Sequence, residues 1–137
     1  MTENVRGLPS ELEDFNGGNI QMELTYTYDP DGNPTTLGDI TGARNASLQY
    51  DSLDRLSSAQ LAGTGSTPTT YAYDALGQIT QTALGAHTQT FTYGTSAGRP
   101  DELYSVTDSQ SGTTSYTYDS QGNLATRNSA VNYTFDY

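Results

Sequence analysis

The sequence predicts an all-β protein, an antiparallel meander of repeated β-hairpins in a sheet that curls or spirals. Three observations predict it. An aromatic–aspartate phrase recurs along the chain, turn residues follow each copy at fixed offsets, and no run of strong helix formers exists. Only 33% of the 137 residues are apolar and 11 of the residues are tyrosines, so a deep core would be thin. Fourteen glycines suit short strands broken by frequent turns.

Residues 1–20 do not match the phrase. Gly17-Gly18 reads as a hinge preceded by the acidic residues Glu3, Glu11, Glu13 and Asp14. Ser10 with Glu13 has the spacing of a capping box, which allows a short helical turn over Ser10–Asp14. This stretch is expected to be a non-repeat cap or linker, and residues 21–137 the repeat sheet, with about five repeats and the last truncated.

The phrase opens as Tyr26-Thr27-Tyr28-Asp29-Pro30-Asp31-Gly32-Asn33. It returns around Tyr50-Asp51, at Tyr71-Ala72-Tyr73-Asp74 with Gly77, and at Tyr116-Thr117-Tyr118-Asp119 with Gly122. A degraded copy sits at Phe91-Thr92-Tyr93-Gly94 and a truncated one at Tyr133-Thr134-Phe135-Asp136. Aromatics two apart put both rings on one face of an extended strand. The following Asp-x-x-Gly suits a type I turn, where the aspartate accepts from a backbone N–H two residues on and glycine takes the positive φ at the exit. Leu56, Ile79 and Leu124 then start the returning strands, whereas Pro34 predicts a bulge or a strand start. Second turns are expected at Gly38–Gly42, Gly63–Pro68, Leu84–His87 and Asp108–Gly112, giving roughly ten strands.

Charge excludes some partners. The formal net charge is −11, with 16 acidic residues against five arginines and no lysine, so a nucleic-acid surface and an anionic membrane are both disfavoured. Without cysteine there can be no disulfide, and no segment approaches the ~20 apolar residues of a membrane span. Residues 1–20 lack the apolar middle of a secretion signal, which implies another export route or a piece of a longer protein.

Chemistry is sparsely represented. The single histidine, His87, reads as an exposed turn residue with no triad partners in view. Asp29, Asp31 and Asn33 imitate the start of a calcium loop, but Pro34 and Ile40 occupy positions that need glycine and glutamate. We therefore assign no catalytic, metal or cofactor residue and no cofactor. The stacked tyrosines read as cross-strand packing, with a sugar-binding face as the sharper alternative. Asn45-Ala46-Ser47 and Asn132-Tyr133-Thr134 are glycosylation sequons.

The phrase resembles the YD repeat of RHS proteins, a family that includes bacterial polymorphic toxins, the C component of insecticidal Tc toxins, wall-associated proteins and teneurins. The resemblance covers about residues 22–137. It implies a sheet strip spiralling into a hollow shell, with further YD repeats of the same or a parent chain as partners, at the surface or outside of a bacterial cell. The repeat positions carried over are Tyr28/Asp29, Tyr50/Asp51, Tyr73/Asp74 and Tyr118/Asp119, with Gly32, Gly77 and Gly122. Asp54 stands where the glycine belongs and Gly94 where the aspartate belongs, so the hairpin after Gly94 should be irregular. The family's self-cleaving core and toxin domain are missing from this sequence. The expected role is thus non-catalytic, in encapsulation or surface interaction. Alternatives are a carbohydrate- or protein-binding adhesion module and a strand repeat that assembles into homo-oligomers or filaments through open edges. The C-terminal strand Val131–Tyr137, with little edge protection, is where such pairing is expected.

Overall fold

The computed structural model describes residues 1–39, 44–61, 66–94 and 99–128. The edge strand expected over Val131–Tyr137, with Phe135 and Asp136, lies outside them. Twelve β-strands and no helix are formed among the described residues. They fall into two compact units, Met1–Thr69 and Thr70–Tyr137. Strand order follows chain order within each, so the all-β antiparallel meander is what the chain adopts.

The first unit holds β1 (Thr2–Glu3), β2 (Pro9–Asn16), β3 (Asn19–Tyr28), β4 (Pro34–Asp39), β5 (Ala46–Tyr50) and β6 (Leu56–Leu61). Here the structure corrects two expectations. Ser10–Asp14 form no helical turn but lie in β2, because Leu24, Glu23 and Met22 of β3 offer a ladder partner to each of Leu12, Glu13 and Asp14. Gly17-Gly18 is no hinge but a two-residue hairpin loop, with φ of 60° and 82° and Asn16 facing Asn19. Positive φ at both central residues defines a type I′ turn, whose twist matches that of the flanking strands.

The second unit holds β7 (Thr69–Tyr73), β8 (Ile79–Leu84), β9 (His87–Tyr93), β10 (Leu103–Asp108), β11 (Gly112–Tyr118) and β12 (Leu124–Asn128). Two of the expected second turns are present. Gly85-Ala86 closes β8 on β9 with Leu84 facing His87, and Gly85, at φ 59°, takes the first position of a type II′ turn. Ser109–Ser111 close β10 on β11, with Gly112 at φ 87°. The turns expected at Gly38–Gly42 and Gly63–Pro68 lie partly outside the described residues.

Four of the hairpins carry one extra residue on the returning strand. Tyr28 faces Pro34 while Thr27 faces Thr36, which leaves Thr35 as a bulge. The same slip skips Ser57 after Tyr50, Tyr104 after Tyr93 and Ala125 after Tyr118. Pro34 is accordingly both a strand start and the neighbour of a bulge. Bulges increase the local right-handed twist, so each of these adds to the twist of its own hairpin.

None of the described side chains is fully buried. The tyrosines alternate half-buried with exposed threonines, as in Tyr26-Thr27-Tyr28 and Tyr116-Thr117-Tyr118. The threonine face is tied by hydroxyl pairs, Thr27 with Thr36 at 2.6 Å, Thr117 with Thr126 at 2.6 Å and Thr107 with Thr113 at 3.0 Å. With so little apolar burial, backbone geometry at the turns carries more of the stability. Gly77 has φ 85° and open space where a Cβ would stand, so any cost of substitution there comes from the backbone angle alone. We expect Gly77→Val to lower the unfolding midpoint clearly more than Ala75→Val, since β-branched residues resist positive φ. Equal midpoints in thermal denaturation would contradict this account of the turn.

Candidate functional site

The recurrent feature is the aspartate turn, and its bonding is nearly invariant. At the first copy, Oδ1 of Asp29 accepts from the N–H groups of Asp31, Gly32 and Asn33 at 3.0, 2.8 and 2.8 Å. The Asp29 N–H donates back to the Asn33 carbonyl at 3.0 Å. Asp51, Asp74 and Asp119 repeat the pattern through Leu53/Arg55, Leu76/Gln78 and Gln121/Asn123. Gly32, Gly77 and Gly122 sit at φ 99°, 85° and 89°, and Asp54 holds the same place at φ 59°. Asp54 is the one non-glycine residue with positive φ among those described, consistent with the tolerance of short polar side chains for that region.

The second carboxylate oxygen is also used. Asn33 and Asn123 donate their side-chain amides to Asp29 and Asp119 at 3.1 and 3.0 Å, and Arg55 binds Asp51 through Nε and Nη2 at 2.8 and 2.7 Å. The Arg55 side-chain bond is foremost in pulling the Asp51 carboxyl below the usual range, and the Asn123 side chain does the same for Asp119. At Asp29 desolvation pushes upward, but the bonds from Asn33, Gly32 and Asp31 together outweigh it.

Four turns are clipped to the next hairpin by a tyrosine. Tyr28 donates its hydroxyl to the Pro9 carbonyl at 2.7 Å, Tyr50 to Pro34 at 2.9 Å, Tyr93 to Ile79 at 3.0 Å and Tyr118 to Leu103 at 3.0 Å. The acceptor is always the first residue of the strand that leaves the preceding turn. Burial raises the Tyr50, Tyr93 and Tyr118 phenols above their usual range, helped by Asp29, Asp74 and Glu102 respectively, so they remain protonated donors. Of the positions expected to matter, Tyr28, Tyr50, Tyr93 and Tyr118 thus converge on the turn edge with Asp29, Asp51, Asp74 and Asp119. Tyr26, Tyr71, Phe91 and Tyr116 share their strands two residues earlier.

Neighbouring turns are also stitched to one another. Arg6 donates to the Asp29 carbonyl at 2.9 Å, Asn33 to Asp54 Oδ1 at 2.9 Å and Gln78 to the Pro100 carbonyl at 3.2 Å. Arg99 donates to the Asp119 carbonyl at 3.0 Å, to the Ser120 carbonyl and to Glu102 at 2.6 Å. Gly94 is explained here, because a Cβ would stand 3.0 Å from the Arg99 carbonyl. These arginine and amide bridges were not apparent from sequence.

The same turn geometry also forms at Asn4–Gly7, within the stretch expected not to match the repeat. Oδ1 of Asn4 accepts from the N–H groups of Arg6 and Leu8 at 2.9 and 3.2 Å, and the Asn4 N–H donates to the Leu8 carbonyl at 2.8 Å. Gly7 follows at φ 73° and Ser10 is skipped as a bulge between Pro9 and Glu11. The available signal was Asn-x-x-Gly at 4–7. His87 is corrected as well. It begins β9, half-buried, with Nε2 2.8 Å from Asp108 Oδ2, because β10 pairs with β9 and ends at Asp108, opposite Gln89. Ser109 N–H reaches the Thr88 carbonyl at 2.9 Å. The backbone N–H of Gln110, then His87, Gln89 and Ser111, hold the Asp108 carboxyl well below its usual range.

A tandem array of tyrosine–aspartate hairpins, each sealed by its own turn and clipped to its neighbour, defines a YD-repeat protein. The sequence model of the teneurin YD-shell matches residues 10–132, and the chain belongs to that family. Two solved structures share the fold, the crystal structures of TcdB2-TccC3-Cdc42 and of TcdB2-TccC3-TEV. The first aligns at a TM-score of 0.71 and 18% identity over 93% of this chain, the second at 0.71 and 19% over 94%. In both the chain spans 7% of the length of the solved chain. No curated protein sequence matches.

Two outcomes follow from this bonding. Tyr28→Phe should cost about 0.5–1.5 kcal/mol by leaving the Pro9 carbonyl without its donor, whereas Tyr26→Phe should stay within about 0.5 kcal/mol. Urea unfolding of both variants measures the difference, and equal costs would remove the clip from the account. The depressed carboxyls of Asp29, Asp51, Asp108 and Asp119 contribute stability that is present above the ordinary carboxyl pKa and is lost as pH falls through their folded values. Melting temperature should therefore drop below about pH 4, and Asp119→Asn should start lower and drop less. A parallel fall in variant and parent would show that Asp119 is not one of the groups responsible.

Proposed function

We propose that this chain is a wall segment of a larger YD-repeat shell, and that the shell encloses other material outside the cytoplasm. The observation that supports it is the family match over residues 10–132, combined with a tyrosine-to-carbonyl contact that repeats at four places along the chain. Such a unit adds copies along one direction without needing a core, which suits a wall. Residues 2–16 supply, in this reading, a degenerate copy of the repeat. The exported placement rests on the family resemblance.

Packing, not sugar binding, is the role we adopt for Tyr28, Tyr50, Tyr93 and Tyr118. Their hydroxyls are committed to main-chain carbonyls, which leaves them no donor for a sugar hydroxyl. The test is limited proteolysis of the natural full-length product. We expect a protease-resistant wall, and a further segment that resists cleavage until Tyr50→Ala and Tyr118→Ala loosen the wall. Equal cleavage of all other segments in parent and variant would remove the enclosing role.

A further inference from the structure

A side-chain carbonyl of asparagine or aspartate can be attacked by the backbone nitrogen of the next residue, closing a cyclic imide. The step is fastest when that residue is glycine, because no Cβ crowds the approach. This sequence holds two such pairs, Asn16-Gly17 and Asp31-Gly32. The fold treats them in opposite ways.

At Asp31-Gly32 the nitrogen is committed. The Gly32 N–H donates to Oδ1 of Asp29 at 2.8 Å and to the Asp29 carbonyl at 3.2 Å. At Asn16-Gly17 the N–H meets no acceptor among the described residues. Asn16, Gly17, Gly18 and Asn19 are all exposed, and a Cβ built on either glycine would find nothing within 4 Å. The electrophiles differ too, since an amide is attacked more readily than an ionised carboxylate.

The hairpin tip is also lightly held. Asp14 faces Met22 but Phe15 faces Ile20, so Gln21 is skipped and only two rungs, Phe15–Ile20 and Asn16–Asn19, lie beyond the slip. Phe15 and Ile20 are 54% and 39% exposed, so little apolar burial secures those rungs. A short end of this kind opens locally far more easily than the sheet behind it. Attack needs that opening, because an extended backbone at Asn16 directs its side chain away from the strand axis and the Gly17 nitrogen.

We propose that Asn16 is a site of spontaneous covalent modification, converting through a cyclic imide to aspartate and isoaspartate. The deprotonated Gly17 nitrogen bonds to Asn16 Cγ, the Cγ–Nδ2 bond breaks, and ammonia leaves with the proton. Water then opens the ring. Opening at Cγ gives aspartate in the normal linkage, and opening at the main-chain carbonyl leaves the chain running through Cβ and Cγ as isoaspartate. The isoaspartyl link lengthens the backbone at the closing pair of a two-residue type I′ turn, so the Asn16–Asn19 rung no longer fits. The slip at Gln21 confines the damage to the tip. Either product adds a carboxylate two residues from Asp14.

The test incubates the intact chain at neutral and mildly alkaline pH beside free peptides of residues 13–21 and 27–36. Mass spectrometry with electron-transfer fragmentation separates asparagine, aspartate and isoaspartate at each position. We expect Asn16 to convert in the intact chain within tenfold of its peptide rate, and faster at the higher pH. Asp31 should isomerise a hundredfold or more slowly in the chain than in its peptide. Gly17→Ala should slow conversion of Asn16 tenfold or more. Gly18→Ala, which places the same methyl at a positive φ in the same loop, should leave it within threefold. The comparison of chain with peptide needs no variant and stands even if one of these fails to fold. Amide hydrogen exchange of the converted protein should show lost protection confined to residues 15–20. Retention of Asn16 in the chain while its peptide converts would overturn the proposal. So would equal slowing of Asn16 and Asp31, equal effects of the two alanines, or lost protection beyond the tip.

Discussion

The aspartate carboxylate at each turn is what the rest of the structure depends on. With no fully buried side chain among the described residues, little apolar burial is available to offset the entropy of ordering the chain. A turn must then be stable locally, from bonds it makes to itself. One carboxylate oxygen collects the backbone N–H groups of the turn, and the second takes a side-chain donor from Asn33, Arg55 or Asn123. Bonds to an ionised acceptor are stronger than neutral ones, and the lowered carboxyl pKa values of Asp51 and Asp119 report the same preference. This explains why aspartate recurs where a serine or threonine could also start a turn.

Once the turn is fixed, the bulge and the tyrosine follow as a pair. The extra residue, Thr35, Ser57 or Ala125, lets the returning strand start opposite the second tyrosine and still reach a regular ladder two residues later. It also leaves the first residue of that strand with its carbonyl directed to the next hairpin. There Tyr50 takes Pro34 and Tyr118 takes Leu103. A phenol is well suited to this reach, since its ring packs on half-buried neighbours while its hydroxyl supplies one donor. The clip therefore couples the register of one hairpin to the turn of the one before it.

The fold class and the aspartate turns were legible in the sequence because they rest on side-chain types that cannot be exchanged freely. Asp29 and Gly32 are chosen for a carboxylate and for positive φ, and both leave a mark. The bulge was legible only at Pro34, since its occupants Thr35, Ser57, Tyr104 and Ala125 share no side-chain property. The copy at Asn4–Gly7 escaped notice because Asn4 replaces the acid and no tyrosine precedes it, although an amide oxygen accepts the same two N–H groups. The partner of His87 was not legible because Asp108, 21 residues on, is brought to it by the pairing of β10 with β9, which no local pattern reveals. The stitching by Arg6, Gln78 and Arg99 was hidden for a similar reason. Each donor's acceptor is a backbone carbonyl, and carbonyls carry no sequence signature.

That last point bears on how the repeat tolerates divergence. Arg6 and Arg99 sit in the two copies that lack the aspartate, at Asn4 and Gly94. Each reaches across to a carbonyl of the following turn, at Asp29 and at Asp119. A turn without its own carboxylate is thus tied to a neighbour that has one. The guanidinium suits this because it offers several donors in a fixed plane, and at Arg99 it spans Glu102 and two carbonyls at once. Degenerate copies can then persist in the array, provided that the next turn is intact and an arginine is within reach. The order of strong and weak turns along the chain, Asn4 before Asp29 and Gly94 before Asp119, satisfies that condition in both units.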